Sequence, residues 1–290
     1  MSSASSTLDD VALPWQVPGT PGTFICKVEP GWSLFAGKGC FGGVLKAQLA
    51  RASALLMPPS RRLRSMNTTF LAPASVGEVT VTARVLREGK AMSYVAVEAH
   101  QEGQLLTVAH CAFGASRPGS HTEPSLAMPS GLPPPGHEPF AELKFAPTFF
   151  REQMEAQWVE RDGVRLLAGA AEPSIRLWLR FRESPRPTGG LPARKDCGLL
   201  VALLDAPPPP IWTALSRPAV VASVSTHMQL VRDPEELSGE HPWFYYESRL
   251  THAGDGMSDI QGRLWHEDGT LCGLITQHLA DLSSTPTSRL

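Results

Sequence analysis

A stretch dense in proline, glycine and serine between Ser116 and Pro139 divides this 290-residue chain, and the same order of signals recurs on either side of it. Each side carries a run with helical apolar spacing that ends in paired prolines. Runs of strand composition follow, separated by short polar turns. A segment rich in Pro, Gly and Ser cannot bury enough surface to form a core of its own, so it reads as an extended connector. The chain is therefore expected to build one helix-plus-sheet plan twice.

The first copy starts near Thr23 with the strand-like Phe24-Ile25-Cys26-Lys27-Val28, followed by the glycine-rich loop Gly37-Lys38-Gly39-Cys40-Phe41-Gly42-Gly43. From Val44 to Met57, Leu45, Leu49, Ala52 and Leu56 fall on one helical face, with Lys46, Gln48, Arg51 and Ser53 largely elsewhere. That spacing predicts a helix with one buried stripe, which Pro58-Pro59 terminates. Strands are predicted at Ser65 to Phe70, Glu78 to Arg87, Met92 to Gln101 and Leu105 to Phe113, and the short turns between them require antiparallel neighbours.

In the second copy, Ile175 to Phe181 alternates apolar with basic residues, as a strand buried on one face does. Its Arg176 and Arg180 should face water or a substrate phosphate. A second helix is expected from Asp196 to Leu204, stopped by Pro207 to Pro210, with Asp205 at its end. Strands follow at Ala219 to Val231, Trp243 to Thr251, Met257 to His266 and Leu271 to Leu279, with a hairpin turn at His266-Glu267-Asp268-Gly269. Phe145 to Trp158 reads as the lead-in to this copy.

Composition narrows the partners. A net charge of −2 with no clustered Lys/Arg tract favours neither nucleic acid nor a membrane surface. The polar, acidic Met1 to Leu13 is not a secretory leader, and no apolar run nears the roughly 18 residues of a membrane span, so a cytoplasmic protein is expected. Five scattered cysteines and nine histidines lack ligand spacing, which argues against a disulfide framework and against a metal site. No cofactor is called for.

Six pieces occur together and in order: Phe41-Gly42-Gly43, Phe70-Leu71-Ala72-Pro73, Leu86-Arg87-Glu88-Gly89, Met128-Pro129 before the proline-rich connector, Pro173 to Arg180, and Asp268-Gly269 through Gln277. On these the chain resembles the type II (TesB-like) acyl-CoA thioesterases over nearly all of its length after residue 20. The resemblance implies an α+β double hotdog, in which each unit is a helix wrapped by an antiparallel sheet. The units would be a flexible 1–20, an N-terminal hotdog 21–115, a linker 116–145 and a C-terminal hotdog 146–290. Hotdog units bind thioesters where two units meet, so one chain carrying both would build that interface internally. It further implies an acyl-CoA or acyl-carrier-protein substrate and a role in fatty acid metabolism. Pairing of two chains into a homodimer or higher oligomer is compatible with the plan.

The resemblance also nominates a site. Its Asp at the end of the second helix falls on Asp205, its Gln on the last strand falls on Gln277, and its hydroxyl falls on Ser223, with Ser225 and Thr226 as neighbouring alternatives. Where the family often has Asp two places after the hydroxyl, this chain has Ser225. Thioesters are activated carbonyls, so such a trio suffices if it orients and deprotonates water while amide donors receive the oxyanion. Helix N-termini present unpaired N–H groups, and Gly42 and Gly43 stand where they could serve that purpose or only close packing. Each residue also has a structural reading: Asp205 beside a helix end, Ser223 as an ordinary strand serine, Gln277 as a core amide with partners. A hydratase or dehydratase is the lyase alternative, for which His227 is the nearest histidine. A non-hydrolytic double hotdog that binds a carrier-tethered intermediate is the third reading.

Overall fold

A computed structural model describes residues 6–35, 38–115, 126–136, 147–159, 166–182, 196–216 and 219–283. In chain order the elements are α1 Leu8–Ala12, β1 Trp15–Gln16, β2 Thr23–Val28, β3 Ser33–Phe35, β4 Lys38–Cys40, α2 Gly42–Leu55, β5 Arg61–Phe70, β6 Gly77–Glu88, β7 Met92–Gln101 and β8 Gln104–Ala115. The remainder are α3 Thr148–Gln153, β9 Met154–Trp158, β10 Ser174–Phe181, α4 Cys197–Asp205, α5 Ile211–Ala214, β11 Val221–Leu230, β12 Phe244–Gly254, β13 Met257–His266 and β14 Leu271–Asp281.

Twelve strands form one antiparallel sheet in the order β1-β2-β6-β7-β8-β5-β11-β14-β13-β12-β10-β9. The order is a palindrome of two identical half-sheets joined at the seam between β5 and β11, where Met66 pairs with Met228 and Thr68 with Thr226. This is the double hotdog, α+β, that the sequence led us to expect. Alternation along each strand turns one face inward: Val79, Val81 and Ala83 of β6, and Val95, Val97 and Ala99 of β7, are buried around α2. Two-residue turns with positive φ at both positions, Glu102-Gly103 and Asp255-Gly256, close two of the hairpins.

The single buried stripe expected of α2 is a correction. Lys46, Gln48, Arg51 and Ser53 are all buried, because α2 has the sheet on one side and α1 and α4 on the other. Burial obliges each polar group to find a partner. Gln48 Nε2 donates to the carbonyls of Val11 (2.8 Å) and Lys27 (3.2 Å), and Ser53 Oγ donates to Leu49 O (2.7 Å). Arg51 bridges Asp9 (2.6 Å) and Asp196 (2.9 Å), drawing α1 and α4 onto α2, and Gly198 leaves the space its guanidinium occupies. Asp196 also caps α4 by accepting from Leu199 N–H, so the helix begins one residue later than expected.

The N-terminus, expected to be flexible through residue 20, is structured from Leu8. Thr7 and Asp10 form a capping box, and Val11 and Ala12 are wholly buried. Much of the expected linker, 116–125 and 137–145, lies outside the described residues. Its described part, 126–136, lies on the outer face of the C-terminal half-sheet, where Met128 and Leu132 pack on Trp178, Tyr245 and Trp265. The two indole N–H groups there donate to Pro133 O (2.9 Å) and Leu126 O (3.0 Å). All five cysteines are free, and four are buried. No helix among the described residues is long and apolar enough to cross a membrane.

Candidate active site

Asp205 is the last residue of α4, whose apolar run Leu199 to Leu204 drives the helix into the core. Its side chain is 4% exposed and meets the first turn of α2. Lys46 Nζ lies 2.6 Å from Asp205 Oδ1. Gln277 Nε2, from the inward face of β14, donates to the same oxygen at 3.3 Å and to Ser223 Oγ at 2.5 Å. Asp205 Oδ2 faces Gly42, where an added Cβ would stand 2.9 Å from that oxygen and 3.2 Å from the Phe70 ring. Glycine is therefore needed at 42 for the helix start to approach the carboxylate. Gly43 answers a different demand, since a Cβ there would enter the Phe41 ring, which stacks on Phe149 at 3.9 Å.

Ser223 reaches this cluster through a β-bulge. Along β11, Thr226, Met228 and Leu230 point inward, so uninterrupted alternation would put Val224 inward and Ser223 outward. The register against β14 skips a residue between Ser223 and Ser225, leaving Val224 unpaired and setting Ser223 opposite the inward-facing Leu279. Three residues from three elements, 205, 223 and 277, thus converge on one hydrogen-bonded chain. Gly42, Phe70 and Ser223 are half-buried and form its open side.

Burial pushes the Asp205 carboxyl above the usual carboxylate range, against the opposing pull of Lys46. Burial likewise draws the Lys46 ammonium down, and Asp205 resists. Burial holds the Tyr246 phenol protonated, with a lesser opposing effect of Ser248 and a reinforcing one from the Asp205 charge. The arrangement provides a carboxylate with one engaged and one open oxygen, an amide and a hydroxyl beside it, and the unpaired N–H groups of a helix start. Those are the parts needed to orient water against an activated carbonyl.

Two family models match the sequence, the acyl-CoA thioesterase N-terminal domain over residues 28–114 and the acyl-CoA thioesterase C-terminal domain over residues 128–280. The chain belongs to the acyl-CoA thioesterase family. A hot dog fold protein of unknown function from Alicyclobacillus acidocaldarius superposes with a TM-score of 0.77 at 24% identity, covering 94% of this chain and 97% of that one. The acyl-CoA thioesterase II TesB2 of Mycobacterium marinum gives 0.71 at 19% identity, covering 96% and 99%. The dehydratase domain of RzxB from Pseudomonas fluorescens gives 0.51 at 14%, covering 89% and 93%, so the fold by itself does not choose between chemistries. No curated protein matches the sequence.

The remaining nominated residues of this thioesterase-family chain divide by face. Thr226 lies inward, directly across from Gln277, and its hydroxyl has no partner among the described residues. Ser225 lies on the opposite face, between Thr69 and His278. His227 shares that outer face, its Nδ1 2.6 Å from Asn67 Oδ1, and so is turned away from Asp205. Arg176 and Arg180 stand on the outer face of β10, four strands and roughly 19 Å from β11 at ordinary strand spacing. They pair with Glu247 (3.4 Å) and Glu155 (2.7 Å), and Arg180 covers the Trp243 ring at 4.4 Å. Neither joins the trio. Lys46 was not anticipated: helical spacing assigns it to a polar face, and only the packing of α4 on α2 turns that face inward.

Proposed function

We propose that this chain hydrolyses acyl thioesters, of coenzyme A or of a carrier protein, with water activated by Asp205. The observation that carries the reading is the hydrogen-bonded line from Ser223 through Gln277 to Asp205, set against the start of α2. The thioester carbonyl oxygen sits at the N–H groups of Gly42 and Gly43, where the helix dipole favours developing negative charge. Gln277 and Ser223 hold the water. Asp205 Oδ2 takes one of its protons as the oxygen adds to the carbonyl carbon. Collapse of the tetrahedral intermediate breaks the C–S bond, and the thiolate leaves with the proton that Asp205 received. The products are a carboxylic acid and a free thiol, and the carboxylate is regenerated.

The position of His227 disfavours a lyase. A His and Asp pair working on the acyl chain needs both on one side of the sheet, and these two lie on opposite sides. Free-thiol release from acyl-CoAs of graded chain length, run beside hydration of an enoyl-CoA, separates the readings. Thiol release well above the uncatalysed rate is expected. Hydration without thiol release, or acyl-CoA binding with neither reaction, would overturn hydrolysis.

A further inference from the structure

Four polar residues of α2 are buried, and three of them have evident work in holding the fold. Gln48 ties α1 and β2 to the helix through main-chain carbonyls, Arg51 ties α1 and α4, and Ser53 closes on its own helix. Lys46 is different. Its side chain is 0% exposed, and its ammonium has the Asp205 carboxylate as its one ionic partner among the described residues. The remaining N–H groups find no protein acceptor there, and the Phe70 ring centroid is 5.6 Å away. A fully buried ammonium is costly, and a buried ion pair is seldom more stable than an apolar pair of the same size. Stability alone gives no reason to place a lysine here.

We propose that Lys46 is a positioning residue for the water-activating carboxylate: it engages one oxygen of Asp205, keeps the group charged, and leaves the other oxygen facing the start of α2. The inference rests on the reading of Asp205 as the base. Oδ1 is occupied by Lys46 Nζ at 2.6 Å and Gln277 Nε2 at 3.3 Å, whereas Oδ2 meets Gly42. One oxygen is thus an anchor and the other a proton acceptor, which fixes the side from which water is deprotonated. The charge has the right sign and distance, since a cation in contact favours the ionised carboxyl against desolvation.

The surroundings leave that task to Lys46. β11 and β14 present the neutral Ser223 and Gln277 to Asp205, and β5 presents Phe70. β12 presents Tyr246, a phenol held protonated by burial. Arg51, the other buried cation of α2, is committed to Asp9 and Asp196 at the opposite end of α4. Lys46 is the one basic side chain set against Asp205 among the described residues.

The test uses the full chain with Lys46→Met, Lys46→Arg and Lys46→Gln. Asp205 is titrated by carboxyl carbon-13 resonance in ligand-free protein, and kcat/KM for an acyl-CoA is measured across pH. In Lys46→Met the Asp205 inflection should rise by at least about one pH unit, with the acid limb of the rate profile moving equally and activity returning at high pH. Below the wild-type inflection, each pH unit by which the inflection has moved lowers the rate about tenfold, because the ionised fraction falls by that factor. Lys46→Arg should keep the wild-type inflection. Should Lys46→Met not fold, Lys46→Gln, which retains a donor without the charge, carries the same titration. An unmoved Asp205 inflection, or an activity loss equal at every pH, would reduce Lys46 to packing and overturn the proposal. Wild type that releases no thiol would instead remove the hydrolytic reading, while the resonance titration still decides what Lys46 does to Asp205.

Discussion

The two half-sheets share a scaffold down to its irregularities and differ in what it carries. β5 skips a residue between Leu63 and Ser65 against β8, as β11 does between Ser223 and Ser225 against β14. Superimposing the two bulges makes Leu63 the counterpart of Ser223, Met66 of Thr226, and Cys111 of Gln277. Where the C-terminal half places a hydroxyl and an amide, the N-terminal half has a buried leucine and a buried thiol. The helix ends differ as well, since α4 closes on the buried carboxylate of Asp205 while α2 closes on Leu55, which is 59% exposed. A duplicated fold offers two equivalent positions, and among the described residues only the C-terminal one carries the hydrogen-bonded trio. The N-terminal half contributes instead across the interface, supplying Gly42 and Lys46 to its partner's carboxylate. A hotdog interface inside one chain thus frees each half to specialise.

Substitutions at paired positions should expose that asymmetry. Asp205→Asn removes the base and should lower kcat by roughly 10²–10⁴-fold in a thiol-release assay, the usual worth of a positioned proton acceptor. Retention of wild-type turnover would take Asp205 out of the reaction. Gln277→Ala should cost roughly 10²–10³-fold, as loss of one positioned donor does. Its counterpart Cys111→Ala should leave kcat of the folded protein within about twofold, so equal losses at 277 and 111 would mean that both halves are equipped. Because hydrolysis needs the carboxylate and burial raises its proton affinity, kcat/KM should fall with decreasing pH through an inflection above the ordinary value of 3.8. An inflection at or below that value would place the working carboxyl in a wetter setting. At the small end, Ser225→Ala should change kcat by less than about twofold while Ser223→Ala lowers it, which distinguishes the two faces of one strand.

The half that is legible in the sequence is the periodic one. Alternation and turn residues located ten of the twelve strands to within a few residues, because strand pairing along hairpins is a local property, but missed the edge strands β1 and β9. The order of twelve strands across the seam was not legible, since pairing of β5 with β11 joins residues some 160 positions apart and leaves no local pattern. At the site, family motifs nominated Asp205, Ser223 and Gln277, whereas periodicity alone would have turned Ser223 outward. The bulge at Val224 exists only in the register between strands. Lys46 was hidden for a related reason: a helical pattern separates apolar from polar faces but does not reveal that a second helix will cover the polar one. The Thr7 to Asp10 box was the overlooked local signal, a capping pair at the start of the buried α1.

The most direct test of a single equipped site is a crystal structure with a coenzyme A analogue in which methylene replaces sulfur, keeping the carbonyl but preventing cleavage. The expected result is one acyl group per chain, its carbonyl oxygen within hydrogen-bond reach of the Gly42 or Gly43 N–H and its carbonyl carbon beside Asp205 Oδ2. An acyl group seated instead against Leu63 and Cys111, or one at each end of the seam, would contradict the division of labour between the two halves.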